Sequence, residues 1–190
     1  MTKNKLREEE LLEKIRQGER EAFGQVYDIY IERIYRFIYF KVSSRETAQD
    51  LTSECFLKVF EHLIERSEEM VNLRAFIYRV ARNLVIDYYR SRDKQPVELN
   101  EARLQVTDDL GEKTEEKFAR AENMKKIAAA LIKLKAEWQE AIILRYIEDY
   151  KLGEVSTIIN KNPGAVRVMI HRALKALKRE IDREGQSNSL

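Results

Sequence analysis

Four basic side chains near the C-terminus of this 190-residue chain recur at the spacing of one helix face. They are Arg167, His171, Lys175 and Lys178, at steps of four, four and three residues. Residues 161–179 hold six Lys and Arg side chains and no Asp or Glu, which suits a polyanionic partner. On a helix in the major groove, arginine can read guanine edges while lysine holds phosphates. The pattern predicts duplex DNA binding, and the alternative is a solvated basic face.

Two short helices would position these side chains. The first is amphipathic and covers 152–159, and Asn160 after it suits a left-handed turn. Asn162 before Pro163 is a strong helix start, because asparagine can cap and proline needs no N–H there. The positions that would face inward on the second helix are Val166, Ile170, Ala173, Leu177 and Ile181. The pair predicts a helix-turn-helix, with a plain helical hairpin as the alternative.

A second group, of basic and aromatic side chains, lies on a predicted helix over 74–92. Its polar members, opposite a core stripe, are Arg79, Arg82, Asn83 and Arg90. The interleaved aromatic residues are Phe76, Tyr78, Tyr88 and Tyr89. Because bases stack on rings while arginines follow the backbone, the pattern indicates binding of single-stranded nucleic acid. The alternative places the rings in the core; it is favoured for Phe76 and Tyr88 and stays open for Tyr78 and Tyr89.

The spacing of turn residues excludes a sheet fold. No proline precedes Pro96, and no glycine lies between Gly24 and Gly111, whereas sheets need turns every ten residues or so. Net charge is only +2, and residues 114–190 carry the basic excess. The chain is therefore expected to be mostly helical, with its positive charge gathered towards the C-terminus.

Apolar side chains at three- and four-residue steps locate the helices. They predict three long helices. The first covers 21–41, the second follows a cap at Ser44 and includes Ala48 to Leu63, and the third covers 74–92. Residues 94–113 are weakly periodic and predict a linker, and a stripe over 127–147 predicts one further helix before the helix-turn-helix. The predicted fold class is all-α, with two small helical domains joined by a flexible linker, the C-terminal one containing the helix-turn-helix.

Residue types for catalysis or metal binding are sparse. His62 and His171 lie in different blocks, and neither has a cysteine or histidine at metal-ligand spacing. A glycine-rich phosphate loop is missing. Cys55 falls on an apolar stripe and is interpreted as a small core residue rather than a nucleophile. We expect no enzyme activity, no catalytic residue, no cofactor and no metal.

Composition also bounds the compartment. No apolar run approaches the ~20 residues of a membrane span, and the charged N-terminus has no apolar signal core. A single cysteine fits a reducing environment. The expectation is a cytoplasmic protein that does not insert into membranes.

Three runs of residues, in order, resemble motifs of a known family. The run DLTSECFLKVF at 50–60 resembles the polymerase-binding helix of bacterial sigma factors. The run FIYRVARNLVIDYYR at 76–90 is similar to their promoter-melting and −10-reading helix, and VR with HRA over 166–173 is similar to their −35-reading helix. Two helical blocks with a short linker resemble the compact extracytoplasmic-function (ECF) group of the sigma-70 family. The resemblance extends from about Phe23 to Arg179.

The resemblance implies a domain order and a function. Residues 1–93 would be sigma region 2, 94–113 the linker, 114–184 sigma region 4, and 185–190 a disordered tail. The protein would direct core RNA polymerase to specific promoters and assist promoter opening. It would bind duplex DNA at −35 and single-stranded DNA at −10, be a monomer when free, and be held by an anti-sigma factor.

The resemblance also assigns site residues. Those expected at the −35 element are Asn162, Arg167, His171, Arg172, Lys175 and Lys178. Those expected at the −10 element are Tyr78, Arg79, Arg82, Asn83, Tyr89 and Arg90. Those expected to bind polymerase are Asp50, Leu51, Glu54 and Lys58.

Some positions depart from the family pattern. Lys151 stands where Ser or Thr often caps the first helix of the motif, Asn160 where glycine is common, and Ala165 where threonine is common. Val168 replaces a frequent serine on the reading helix. Two alternatives stay open: a helix-turn-helix regulator acting as a dimer without a sigma role, and a helical adaptor that binds only protein.

Overall fold

The computed structural model describes residues 3–66, 70–93 and 126–187, and these ranges contain no strand. The predicted all-α class is confirmed. The chain divides into two compact units, Met1–Ile38 with Ala48–Pro96, and Tyr39–Thr47 with Val97–Leu190. The predicted linker at 94–113 lies outside the described residues.

Four helices form the first unit, although the end of the second helix and the start of the third belong to the other unit. They are α1 (Lys3–Arg16), α2 (Arg20–Val42), α3 (Arg45–Arg66) and α4 (Leu73–Asp93). The last three coincide with predicted helices, whereas α1 was not predicted. Gly18, with φ 82°, ends the turn after α1 in the left-handed region that glycine adopts without strain.

The core of the first unit follows the predicted apolar stripes. Side chains no more than 1% exposed include Val26, Tyr30, Ile34, Phe37, Cys55, Val59, Leu63 and Ile77. Two side-chain caps start the following helices. The Thr47 amide donates to Ser44 Oγ at 3.3 Å before α3, as predicted, and the Ala75 amide donates to Asn72 Oδ1 at 2.8 Å before α4. Each cap satisfies a backbone N–H that the first turn leaves unpaired.

The single helix predicted over 127–147 is wrong. The segment holds α5 (126–132), then α6 (Ala136–Ile142), which runs into a π-helical turn (Ile143–Ile147). Lys135 interrupts it with an extended backbone, φ −56° and ψ 137°, although no glycine or proline marks the place. At the far end the Glu148 amide donates to the Ile143 carbonyl at 2.9 Å, the widened ring of a π turn.

The predicted helix-turn-helix is present. Helix α7 (Leu152–Ile159) leads through Asn160 into α8 (Pro163–Ser187), and Asn160 has the left-handed backbone expected of it, φ 60° and ψ 48°. At the start of α7 the Lys151 amide donates to the Glu154 carboxylate at 2.8 Å, which is the half of a capping box that the N3 side chain makes. Helix α8 continues past its predicted end near Glu180 and takes in the start of the predicted tail.

Across the described ranges, every helix is either too short or too polar to cross a lipid bilayer.

Candidate nucleic-acid interfaces

The exposed face of α8 carries the predicted −35 residues. Arg167, His171, Arg172, Lys175 and Lys178 are all exposed. The same helix buries its opposite face, formed by Val166, Ile170 and Ala173, which are 0%, 7% and 0% exposed. The structure therefore brings the five basic side chains to the solvent side of one helix. The packed stripe ends near Leu177, because Ile181, expected inward, is 38% exposed.

Asn162, the sixth predicted −35 residue, has a structural role at the same place. Its Oδ1 accepts the Ala165 amide at 2.8 Å and so caps α8. From Arg167 to Lys178 the basic face extends about 16 Å along the helix, at 1.5 Å per residue. A major groove about 12 Å wide admits an α-helix, so this face can lie in the groove with its first residues at the base edges.

The outer face of α4 carries part of the predicted −10 set. Arg79, Asn83 and Arg90 are exposed, Tyr89 is 38% exposed, and Arg82 is half-buried. A 3.8 Å ion pair joins Arg90 to Asp87 one turn earlier, with both side chains in solvent, so it holds the arginine only weakly.

Tyr78 is the exception in the −10 set, because the structure places it in the core. It is 0% exposed, and its ring meets Phe37 edge-to-face with centroids 5.0 Å apart. The ring therefore packs inside the unit and presents no surface to a base. Phe76 is likewise buried and stacks on His62 at 4.5 Å, as the core interpretation expected. Tyr88 is half-buried, and its ring lies 5.3 Å from that of Tyr89.

The predicted polymerase-binding residues on α3 also include both exposed and buried side chains. Asp50, Glu54 and Lys58 are exposed, and the Lys58 ammonium lies 3.1 Å from the Glu54 carboxylate. Leu51 is only 9% exposed and belongs to the core stripe of the helix. Two exposed apolar side chains that sequence reasoning missed lie on this helix, Leu57 at 57% and Ile64 at 66%. Their signal was available, since both fall off the stripe that contains Cys55 and Val59.

Cys55 is buried, as the core interpretation expected. Burial raises the pKa of its thiol to about 12; the Glu54 carboxylate adds to the rise and Lys58 opposes it. A thiol with so high a pKa is almost wholly protonated at neutral pH and is a poor nucleophile. Within the described ranges, His, Cys, Asp and Glu side chains form no cluster of three or more that could hold a metal ion.

Comparison with known families gives two matches, one in each half of the chain. Residues 26–95 match the model of Sigma-70 region 2, and residues 124–177 match that of Sigma-70, region 4. The first match contains α4 and the second contains most of the basic face of α8. The chain belongs to the sigma-70 family of transcription initiation factors. Within that family it is an RNA polymerase sigma factor of the ECF group.

Individual relatives give the same result. The chain is 30% identical over 170 residues to the ECF RNA polymerase sigma factor BldN of Streptomyces coelicolor, covering 90% of this chain and 64% of BldN. It is 27% identical over 179 residues to SigW of Bacillus subtilis, covering 90% of this chain and 94% of SigW. The sigma factor RpoE of Bartonella quintana, solved with the anti-sigma factor NepR, shares the fold. Its TM-score is 0.62 at 18% identity, over 85% of this chain and 98% of that one.

Proposed function

We propose that this protein directs core RNA polymerase to specific promoters through two different DNA contacts. Helix α8 binds duplex DNA at −35, and the outer face of α4 binds the unpaired −10 strand. The observation that supports this division is the difference between the faces: α4 exposes an aromatic ring among its arginines, and α8 has basic side chains and no Phe, Tyr or Trp. The protein contributes binding and no catalysis of its own, and it acts in the cytoplasm, where the polymerase works.

At −35, the order of side chains along α8 suggests the division of labour. Arg167 lies near the N-terminus of the helix, the end that reaches base edges in helix-turn-helix proteins, and is placed to contact guanine. Lys175 and Lys178, further along, are placed to hold phosphates. Val168 is 49% exposed and offers an apolar contact of the kind that a thymine methyl group accepts.

At −10, the exposed side chains of α4 have to compensate for the free energy that unstacking a base costs. Flipping a base out of a duplex costs about a few kcal/mol. Stacking of an unpaired base on an aromatic side chain contributes roughly 1–3 kcal/mol. Tyr89 is the exposed ring for this role, with Arg79 and Arg90 on the backbone and Asn83 on a base edge. Tyr78 acts by supporting α4 from the core, because its ring is buried.

Polymerase binding is assigned to the exposed face of α3. Asp50, Glu54 and Lys58 supply polar contacts, and Leu57 supplies the apolar contact that the buried Leu51 does not offer. An exposed leucine with charged neighbours is typical of the small apolar centre and polar rim of a protein interface.

The free protein is proposed to be a monomer that an anti-sigma factor can hold. RpoE, which shares the fold, has been solved with an anti-sigma factor. A dimeric helix-turn-helix regulator is not favoured, because it requires neither an α4 face with exposed Tyr89 nor a family match over region 2. Two modest DNA contacts on one polymerase gain from effective concentration, so the isolated chain should bind duplex promoter DNA weakly.

The decisive experiment is transcription in vitro with core polymerase, with and without this protein, on a genomic DNA library with start sites mapped. New start sites are expected only with the protein present. The double variant Asp50→Ala with Leu57→Ala should lose polymerase binding and these start sites. The control is Asp28→Ala, which removes the same charge from an exposed position on α2 and should behave as wild type. If the added protein neither binds core polymerase nor creates new start sites, the proposal is wrong.

A further inference from the structure

Helix α1 packs on the other helices of the first unit through both apolar and charged side chains. Leu11 and Leu12 are buried at 3% and 4% exposure. One turn earlier, the Glu8 carboxylate reaches across to α2 and α4. Its Oε1 accepts the Tyr30 hydroxyl at 2.6 Å and forms an ion pair with the Arg74 guanidinium, whose Nε lies 3.1 Å away.

This ion pair is well shielded from water. The side chains of Arg74 and Glu8 are 8% and 12% exposed, and Arg74 Nε also donates to the Tyr30 hydroxyl at 3.4 Å. A buried charged pair with added hydrogen bonds fixes geometry more strongly than an exposed one. Because Arg74 is the second residue of α4, α1 fixes the point at which α4 begins.

The other end of α1 holds the chain just before α4. Arg16 Nη2 donates to the Met70 carbonyl at 2.9 Å, a long-range contact between the last residue of α1 and the approach to α4. The Glu13 carboxylate, one turn back, lies 3.4 Å from Arg16 Nη1 and directs the guanidinium. A charge-assisted hydrogen bond to a carbonyl is among the stronger single contacts that a partly exposed side chain can make.

The two anchors enclose a short stretch of backbone, Val71 to Leu73. Within it Asn72 caps α4, and Val71 is 91% exposed. This large apolar side chain is held far into solvent beside the N-terminus of α4, the helix proposed to bind the −10 strand. The anchoring residues themselves, Glu8 and Arg16, lie outside both family matches.

We infer that α1 positions the Met70–Asn72 segment for the −10 strand, with Arg16 as the positioning residue and Val71 as the side chain presented to the DNA. This inference rests on the proposed function of α4. It adds that selection of the −10 sequence depends on an N-terminal helix that does not itself touch the DNA.

The test uses holoenzyme assembled from core polymerase and the full chain, on a promoter mapped for the wild type. Arg16→Ala removes the contact with the Met70 carbonyl. The matched control is Lys14→Ala, which removes the same charge from the exposed side of the same helix. Arg16→Lys keeps a cationic N–H donor. Glu8 is not the test residue, because losing one partner of a buried pair could unfold the unit.

The readouts are promoter opening, followed by fluorescence of a base analogue in the −10 strand, and the start-site response to every single-base change at −10. For Arg16→Ala we expect opening to fall by about three- to tenfold, as for loss of one ordinary intramolecular hydrogen bond, because the Arg16 side chain is partly exposed. Discrimination at one −10 position should also relax. Polymerase affinity should stay unchanged, Arg16→Lys should recover most of the loss, and Lys14→Ala should match wild type.

The results separate the two claims. If the wild-type holoenzyme does not open promoters, the proposed function itself fails. If the wild type opens them and Arg16→Ala equals Lys14→Ala in opening and base preference, the positioning inference is wrong. Loss of polymerase binding by Arg16→Ala would also overturn it, because the contact would then serve assembly. Val71→Ala, at a surface position, should reproduce the relaxed discrimination without a change in thermal stability.

Discussion

Helices α4 and α8 both present basic side chains to solvent, but they differ in what surrounds those side chains. On α4 the exposed arginines share their surface with Tyr89 and Ile86, which are 38% and 40% exposed. On α8 no residue is Phe, Tyr or Trp, and no acidic residue occurs before Glu180. Rings suit bases that have left the stack, whereas a plain basic face suits a closed groove. The neighbours of the basic side chains therefore support the proposal that α4 and α8 bind different states of DNA.

Burial separates the helices further. Helix α8 buries one narrow stripe, while α4 buries Arg74, Phe76, Ile77 and Tyr78 within five residues. A helix enclosed on this much of its circumference has fewer exposed positions to offer a ligand.

The largest expected effect comes from replacing two tyrosines on α4, one of which is buried and the other exposed. Tyr78→Ala should destabilise the first unit by about 3–5 kcal/mol, because it empties a fully buried aromatic site. Tyr89→Ala should lower the free energy of unfolding by only about 0.5–1.5 kcal/mol, through loss of its ring contact with Tyr88, and still weaken binding of a −10 single strand. Thermal and urea unfolding of the two variants measure the first effect.

Holoenzyme binding to a −10 oligonucleotide measures the second effect, with Tyr89→Phe as the variant that keeps the stacking ring. Equal stability of Tyr78→Ala and Tyr89→Ala would show that the burial difference on α4 has been misread. Full strand affinity in Tyr89→Ala would remove this ring from the proposed interface.

The next largest effect concerns α8. Arg167→Ala should cost about 1–3 kcal/mol of promoter binding and relax specificity at one −35 position, as for loss of one base-reading arginine. Arg183→Ala, an exposed arginine on the same helix beyond the helix-turn-helix, should leave promoter use unchanged. Start-site mapping on −35 variants measures both. A uniform loss across all −35 sequences would reassign Arg167 to a phosphate.

The smallest expected effect sharpens the comparison at the helix starts. Asn72 and Asn162 cap α4 and α8 with the same 2.8 Å bond to the amide three residues on. Replacing either by alanine should cost about 0.5–2 kcal/mol of stability in its own unit, and aspartate should retain the bond. Unfolding monitored separately in each unit tests this. A cost much larger at Asn162 than at Asn72 would show that the two caps are not equivalent.

Much of the fold was predictable because local physics decides it. Helices α2, α3, α4, α7 and α8 follow apolar periodicity, and Asn160 adopts the left-handed backbone that its residue type favours. Helix α1 was missed because its charged residues obscure a short apolar contact made by Leu11 and Leu12. The break at Lys135 was missed because no breaker residue produces it.

The candidate sites were predictable only as far as a single helix determines its own exposure. Periodicity placed the basic residues of α8 correctly at the surface, because α8 buries one stripe. It left Tyr78 open between core and surface, because the burial of that ring depends on Phe37 of a neighbouring helix. It placed Leu51 on the core stripe, where the structure has it, and only the family resemblance assigned Leu51 to polymerase binding. The Glu8–Arg74 ion pair joins residues 66 positions apart, beyond the range of any local pattern.

The buried thiol described above can report local unfolding of the helices around it. Cys55 is the chain's one cysteine, and burial raises the pKa of its thiol to about 12, so the thiol stays protonated near neutral pH while the protein is folded. An alkylating reagent therefore has to wait until the helices around this residue separate. The rate of labelling therefore reports how often this region opens, as an equilibrium population when reclosing is faster than the reaction, without a probe having to be engineered into the polypeptide.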